Sequence, residues 1–378
     1  VMTRVVSYLE AGERGEYADL QWLYRFVEKR FPILRACVTR RQSAISKLNW
    51  DVKILSQLPA GATEQQAESQ RDYLRSRYEL IENLNESIRH LALAEFRGFT
   101  VLAKHAREDG SIRELHWLPQ WNIVRDGTAG DWYWNPEAKS TGAIGLTKIE
   151  PEQVIIRECS MPVNEIGVTS FLRCNLSQKD WDAFVEIVGI PGAIIIMPPD
   201  IPAGKEDEYR DAAEQVAEGA SGALPNGADA RFPTQSVRVN APFKEHLDAQ
   251  KEDVVLAATG GKLTMLNEAT GIGGSQGDVH QDAFEDLAEA EGREISEVFQ
   301  RQFDLPELRA KFGDDVQSLA YFDLCPVNKE DVNALVTNVV SLRAAGWKME
   351  TEDLAERTGY DFGDQSEQDD SQESTLKG

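Results

Sequence analysis

"LSQKDWDAFVEIVGIPGAIIIM", residues 176–197, runs from a helix into a strand through one sharp turn. Trp181, Phe184, Val185 and Val188 fall three or four residues apart, so the first part reads as an amphipathic helix with one apolar packing face. Ser177 stands as its N-cap with Asp180 three residues on, and Gly189 with Pro191 stops it. "GAIIIM" then reads as a strand, "KEDEYRDAAEQVAEG" as a helix stopped by Gly219, and "ARFPTQSVRVN" as a second strand. Together they form a small strand-helix-strand unit over residues 190–240. A further helix over residues 244–262, with Leu247, Val254, Val255 and Ala258 on one side, carries the chain back.

Towards the N-terminus, apolar residues recur from Leu23 through Phe26, Val27, Leu34, Cys37, Val38 and Ile45 to Leu48, an amphipathic stripe that Pro32 starts or kinks. Arg35, Arg40 and Arg41 are read as lying off that stripe, on a solvated face. A second long helix is expected through Leu74, Tyr78, Ile81, Leu84, Ile88, Leu91, Phe96 and Phe99, with "TEQQAE" as a polar lead-in and a break near Gly98. Between residues 111 and 157 the texture changes to "IRELHWLP", "WNIVRD", "DWYWN" and "QVIIRE" separated by turn residues, which read as strands. Trp117, Trp121, Trp132, Tyr133 and Trp134 lack interleaved basic residues, so a packed β core is expected of them and not a stacking platform for nucleobases.

Towards the C-terminus, Phe284, Leu287, Ala288, Ile295, Val298, Phe299 and Phe303 give a long helical period that only Glu291 interrupts. "VQSLAYFDLCPV" reads as a strand, and "KEDVNALVTNVVSLRAAG" and "ETEDLAERTG" as two short helices. The tail over residues 361–378 is acidic and poor in apolar residues, and disorder is expected there.

The chain has 378 residues and a net charge of −24, opposite to what a protein gripping nucleic acid through its phosphates would carry. No run of about 18 apolar residues and no basic-then-apolar leader is present, so the expectation is an intracellular protein with neither membrane span nor export signal. Cys37, Cys159, Cys174 and Cys325 form no CxxC pair and are read as buried free thiols.

The loop "TGGKLTMLNEATGIGGSQGDVHQ", residues 259–281, was the place to look for a phosphate cradle. It fails the P-loop pattern, because Leu263 stands where Ser or Thr must follow Gly261-Lys262, and Leu256 stands at the first glycine position. It fails the dinucleotide pattern as well, since Gln276 replaces the third glycine and a helix precedes the loop. The five histidines show no metal-ligand spacing, and no nucleophile elbow exists. No catalytic residue, metal or cofactor is therefore expected.

The order of parts, carried by "LQWLYRFVEKRFPILRACVTRRQSAISKLNWDV", "KDWDAFVEIVGIPGAIII", "TGGKLTMLNEATGIGGSQGDVHQDAFEDLAEAEGREISEVFQRQF" and "VNALVTNVVSLRAAGWKMETEDLAERTGY", resembles the portal proteins of tailed bacteriophages, most closely the Mu-like branch. The resemblance spans most of residues 20–360, and the turn Val188-Gly189-Ile190-Pro191 is one of its informative points. It implies an α+β portal fold that closes into a ring: a mixed α/β wing (1–173 and 279–327), a first stem helix (174–190), a small α/β clip (191–243), a second stem helix (244–262), a tunnel loop (263–278), a helical crown (328–360) and the acidic tail. It further implies a dodecameric ring at one capsid vertex of the virion, assembled in the host cytoplasm. That ring would be the channel for DNA packaging and ejection and would meet the terminase, a head-tail adaptor and the major capsid protein. Double-stranded DNA would pass without sequence-specific binding.

In that setting Lys262, Asn267, Glu268, Gly271, Gly273, Gly274 and Gln276 become the tunnel-loop candidates for facing the lumen, and glycines able to take φ > 0 suit a loop that reorders as DNA passes. An acidic lumen suits passage, because each neutralised phosphate would release counterions and hold the DNA. The alternatives are a packaging enzyme, which needs a P-loop or a magnesium-binding carboxylate cluster, and a head scaffold or adaptor of fewer copies.

Overall fold

Pro32 divides the first apolar stripe into two helices. In the computed structural model, which describes residues 2–189, 194–196, 204–217, 229–231, 243–261, 274–325 and 341, α1 (Met2–Glu13) leads to α2 (Ala18–Arg30) and α3 (Pro32–Ile45). Phe31 between them takes ψ 100°, the extended conformation that a following proline demands. Chain contacts separate residues 1–325 from residues 326–378 as two units, and every element named here belongs to the first. The two short helices, the crown and the acidic tail expected beyond residue 326 lie, apart from Ser341, outside the described residues.

The second long helix expected from the sequence is three helices: α4 (Glu64–Glu79), α5 (Leu84–Leu91) and α6 (Ala94–Arg97). "TEQQAE" is the start of α4 and not a lead-in. Thr63 accepts from the Gln66 N–H at 3.2 Å while Gln66 accepts from the Thr63 N–H at 2.9 Å, a reciprocal cap. The break at Asn83 has a tertiary cause. Its side-chain amide donates to the Leu115 carbonyl and accepts from the Leu115 N–H, both at 2.9 Å, and so pairs with a strand edge. Gly98, at φ 88°, ends α6 in the left-handed conformation, and Phe99 opens a strand instead of closing a helix.

Among the described residues there are four antiparallel sheets. β2 (Phe99–Ala106) lies between β3 (Ile112–Leu118) and β7 (Val154–Glu158), with Val101 opposite Leu118 on one side and Ile156 on the other. β4 (Ile123–Arg125), β5 (Trp132–Trp134) and β6 (Thr147–Lys148) make the second sheet. β1 (Asn49–Ile54) pairs with β10 (Ala320–Cys325), Val52 opposite Phe322, and so joins two ends of the first unit. β8 (Ile194–Ile196) and β9 (Asp229–Arg231) flank α8 (Glu206–Ala217), the small α/β unit expected from the sequence.

The tryptophan cluster divides. Trp132 and Trp134 pack on the buried Phe99, Val101, Ile123 and Val154, as expected of a β core. Trp121 instead lies in the 3-10 turn Gln120–Asn122 and stacks on Trp22 of α2 at 4.4 Å, and Trp117 in β3 is exposed beside His90, because only alternate strand positions face a core. Of the cysteines, Cys37 and Cys174 are buried free thiols, whereas Cys159 is half-buried.

The largest core gathers Ile45, Val52, Leu74, Tyr78, Ile295, Phe299, Phe303 and Phe322. Its long helix, α10 (Gly274–Phe299), ends in a π-helical turn over Gln300–Asp304 before α11 (Leu305–Phe312). The widened turn aims three polar side chains at strand backbones. Gln302 both donates to the Ile156 carbonyl and accepts from the Ile156 N–H at 2.7 Å, covering the free edge of β7, and Gln300 donates to the Phe322 carbonyl at 2.9 Å. Asp304 accepts from the Phe322 N–H at 2.7 Å and the Tyr78 hydroxyl at 2.5 Å.

Burial pushes the Asp304 carboxyl up to about 7, against the pull of those two donors, and Glu307 adds to the rise. A folded pKa above the unfolded value of about 3.9 means that the folded state keeps a proton the unfolded state has released, so this group's contribution falls between about pH 4 and pH 7 and is flat above. Asp304→Asn keeps an acceptor for Phe322 and removes the titration. Urea unfolding at stepped pH is expected to show the variant gaining on the wild type by a few kcal/mol as pH rises through that window. A pH-independent difference would contradict the buried, protonated carboxyl.

Candidate functional site: a projecting helix pair and the buried charges at its root

α7 (Val163–Gly189) is one continuous helix of 27 residues, about 40 Å long. Ser177 is therefore an interior residue and not an N-cap, and the expected wing-stem boundary at residues 173 and 174 falls inside the helix. Nothing in "FLRCNLSQK" breaks it: the stretch holds neither proline nor glycine, and a polar Ser or Asn is tolerated once the helix is already propagating. The first half is set in the protein body, where Val163, Val168 and Cys174 are buried with Leu34 and Cys37 of α3. Gly167 allows that approach, since a Cβ there would lie 2.9 Å from Leu34 Cδ2.

The second half leaves the body, and Leu176 and Val185 stand 59% and 54% exposed. α9 (Phe243–Thr259) returns antiparallel beside it. Phe243 stacks on Trp181 at 6.4 Å and touches Phe184 at 5.9 Å, and one helical span below, Arg173 donates to Gln250 at 3.5 Å. Leu247, Val254, Val255 and Ala258 are buried, as their spacing predicts. Of the four residues expected on one packing face of the first stem helix, Trp181 and Phe184 thus meet α9. Val185 is exposed, and the side chain of Val188 lies outside the described residues.

Lys262, Asn267, Glu268, Gly271 and Gly273 also lie outside the described residues. Gly274 and Gln276 are helical, because α10 begins at Gly274 and not beyond residue 278 as expected. Adding a turn to an existing strong helix is far easier than nucleating one, and this outweighs the cost of Gly274 and Gly277.

The root of the pair holds a group of charges that sequence reasoning missed. Arg41 of α3 is buried: its Nε donates to Glu291 of α10 at 2.6 Å, Nη1 to the Ala258 carbonyl of α9 at 3.0 Å, and Nη2 lies 3.4 Å from Glu95 of α6. Arg157 of β7 reaches the same two carboxylates, Glu291 at 2.7 Å and Glu95 at 2.6 Å, together with Glu294 and the Leu91 carbonyl. Two arginines and two glutamates thus close a ring of ion pairs in which Arg157 and Glu291 are each 2% exposed. Burial disfavours the Arg157 charge, but Glu291 and Glu95 outweigh it and raise its pKa. The reading of Arg41 as off-stripe and solvated is corrected: it follows Leu34 and Cys37 and precedes Ile45 on the buried face. An arginine on one apolar stripe and Glu291 on another were the available signal, a charge pair in need of desolvated partners.

Among the described residues no three His, Cys, Asp or Glu side chains are placed to hold a metal ion, and no helix is long and apolar enough to cross a membrane. Burial and the nearby Arg97 push His90 down to about 4, so it is neutral at ordinary pH. The charge on two of the helices is strongly one-sided. α8 carries five carboxylates and one arginine, and α10 eight carboxylates and one arginine.

The family model described as "Portal protein of Mu bacteriophage" matches residues 21–360. The Mu-like prophage FluMu protein gp29 of Haemophilus influenzae is 22% identical over 373 residues, covering 92% of this chain and 68% of that protein. Among solved structures, a chain of the virion of a native gene transfer agent (GTA) particle superposes with a TM-score of 0.56 at 15% identity, over 90% of this chain and 92% of that one. A chain of the neck of the native GTA particle, computed with C12 symmetry, gives 0.55 at 13% identity, over 96% and 99%. At these identities the structural likenesses show the fold.

Proposed function

Because this chain belongs to the family of Mu bacteriophage portal proteins, which are structural and not catalytic, we propose that twelve copies close into a ring at one capsid vertex, the channel through which DNA is packaged and ejected. The observation that carries the ring is the projecting half of α7. An apolar surface that the chain's own α9 leaves uncovered, on a helix pair rooted in a rigid body, fits burial against the next copy of the same pair. The C12 symmetry used for the similar GTA neck supports the number twelve.

In this reading α7 and α9 are the stem and residues 191–243 the clip that meets the terminase and later the head-tail adaptor. The body formed by residues 1–173 and 279–327 is the wing facing the major capsid protein. Residues 262–273 are the tunnel loop at the lumen, with Lys262, Asn267 and Glu268 nearest the DNA, and residues 328–360 are the crown. The carboxylates of α8 and α10 keep the passage from gripping the phosphate backbone, so the duplex slides without sequence-specific contacts.

Leu176→Glu with Val185→Glu tests the stem assignment. Both side chains are exposed in the isolated chain, so monomer stability is expected to change by no more than about 0.5 kcal/mol. Ring formation, followed by native mass measurement, is expected to fail, because carboxylates would be buried without partners. Rings that persist unchanged would take α7 out of the subunit interface.

A further inference from the structure

A cavity of about 540 Å³ opens beside the end of α1, lined by α2, by the start of α7 and by residues of the first two sheets. Its charges do not balance. Arg97 is held by Glu28 at 2.6 Å, and Arg125 is held by Glu158 at 2.7 Å while it also lies over Trp132 at 4.8 Å. That leaves Glu13 and Glu165, both exposed, and among the described residues no cation pairs with either of them. Burial pushes the Glu165 carboxyl up, and Glu13 pushes it further. Burial likewise pushes up the Tyr24 hydroxyl, with Glu165 and Glu13 adding to the rise. The two carboxylates thus stand within electrostatic reach of each other and of one buried hydroxyl.

The wall of the cavity carries a second sign of a ligand. Gln21 and Tyr24 line it and are each 1% exposed, yet Gln21 Oε1 and the Tyr24 hydroxyl have no hydrogen-bond partner. A buried polar atom left unpaired is costly, and native interiors seldom keep one that nothing else completes. Gln21 Nε2 donates to the Arg97 carbonyl at 2.7 Å, which fixes the amide and leaves Oε1 as the open acceptor. Tyr17, Phe99 and Trp132 add an aromatic cluster to the lining, their ring centroids 4.6, 5.0 and 5.9 Å apart. Unpaired carboxylates, an orphaned carbonyl oxygen, a hydroxyl and aromatic rings call for one kind of guest, a positively charged N–H donor with an apolar chain. A metal ion does not meet the description, since among the described residues no three ligating side chains are placed to hold one. We infer that this cavity binds an alkylammonium ion, its head among Glu13, Glu165, Gln21 and Tyr24 and its chain along Tyr17, Phe99 and Trp132. The inference goes beyond the ring reading and does not rest on it, because every lining residue belongs to the first unit of one chain.

Calorimetric titration of the purified chain with 1,5-diaminopentane, with N-acetyl-lysine methylamide and with the neutral 1,5-pentanediol tests the site. One amine is expected to bind per chain, more weakly as salt is added, and the diol is expected not to bind. The tighter of the two amines identifies the source, a free amine or a lysine side chain of another protein. Glu13→Gln with Glu165→Gln is expected to raise the Kd at least about tenfold, with circular dichroism unchanged. Tyr24→Phe removes only the hydroxyl and is expected to weaken amine binding about three- to tenfold. The melting temperature of the ligand-free Tyr24→Phe chain is expected to hold or rise, because the hydroxyl it loses had no partner. Absence of binding by both amines overturns the site, as does a diol that binds equally well or a double variant that binds like the wild type. A ligand-free Tyr24→Phe chain that melts several degrees lower overturns it too, since the hydroxyl would then already be satisfied without a guest.

Discussion

Glu291→Gln is expected to cost about 3–5 kcal/mol of folding stability, because it leaves the buried Arg41 and Arg157 with the partly buried Glu95 as the one carboxylate they still share. The substitution is nearly isosteric, so the loss measures charge and not volume. The cost arises from desolvation: each guanidinium has given up water, and the more deeply buried of the two carboxylates that compensate both of them is gone. Arg41→Met or Arg157→Met alone is expected to be damaging for the mirror-image reason, whereas neutralising the ring as a whole is expected to cost less than the single changes add up to. Urea unfolding of the variants gives the answer. A loss for Glu291→Gln below about 1 kcal/mol would place the ring in the class of solvated surface pairs.

Phe322→Ala is expected to cost a similar amount, about 3–5 kcal/mol. Phe322 is fully buried, with ring centroids 4.6 Å from Tyr78, 4.8 Å from Phe299 and 6.2 Å from Trp50. It stands opposite Val52 in the β1-β10 pair, so the cavity opens where the N-terminal and C-terminal parts of the first unit meet. Amide exchange of residues 49–54 and 320–325 is expected to accelerate more than that of α7 or α9. Equal protection throughout, or a loss below about 1 kcal/mol, would mean that the strand pair does not join the two parts.

What was legible in the sequence follows from how local each cause is. Pro32 and Gly98 act on their own backbone, and both breaks were readable. The small unit of β8, α8 and β9 and the helix α9 were readable because short apolar runs and regular stripes announced them. β2 was not, because Phe96 and Phe99 continue a helical period although Gly98 has already turned the chain. The start of α7 was misplaced because Ser177 resembles a cap, and only the absence of a breaker upstream argues otherwise. The break at Asn83 depends on Leu115, some thirty residues on, and the ring of buried charges depends on four residues spread from Arg41 to Glu291. Such partners cannot be paired from one sequence. The irregularity itself, Glu291 within an apolar stripe, was visible and marked the place.

On α7, Trp181 and Phe184 meet Phe243 of α9, whereas the face they were thought to share with Val185 is split between α9 and the exterior. A period of three or four identifies which residues can be apolar together but not which neighbour covers each one. If copies of the chain associate as proposed, the uncovered remainder is the informative part.

Electron micrographs of the purified chain test the central claim most directly. The account predicts closed rings of twelve copies around an open centre wide enough to pass a DNA duplex. Single chains or pairs under every condition of salt and concentration, or particles whose centre is filled, would contradict it.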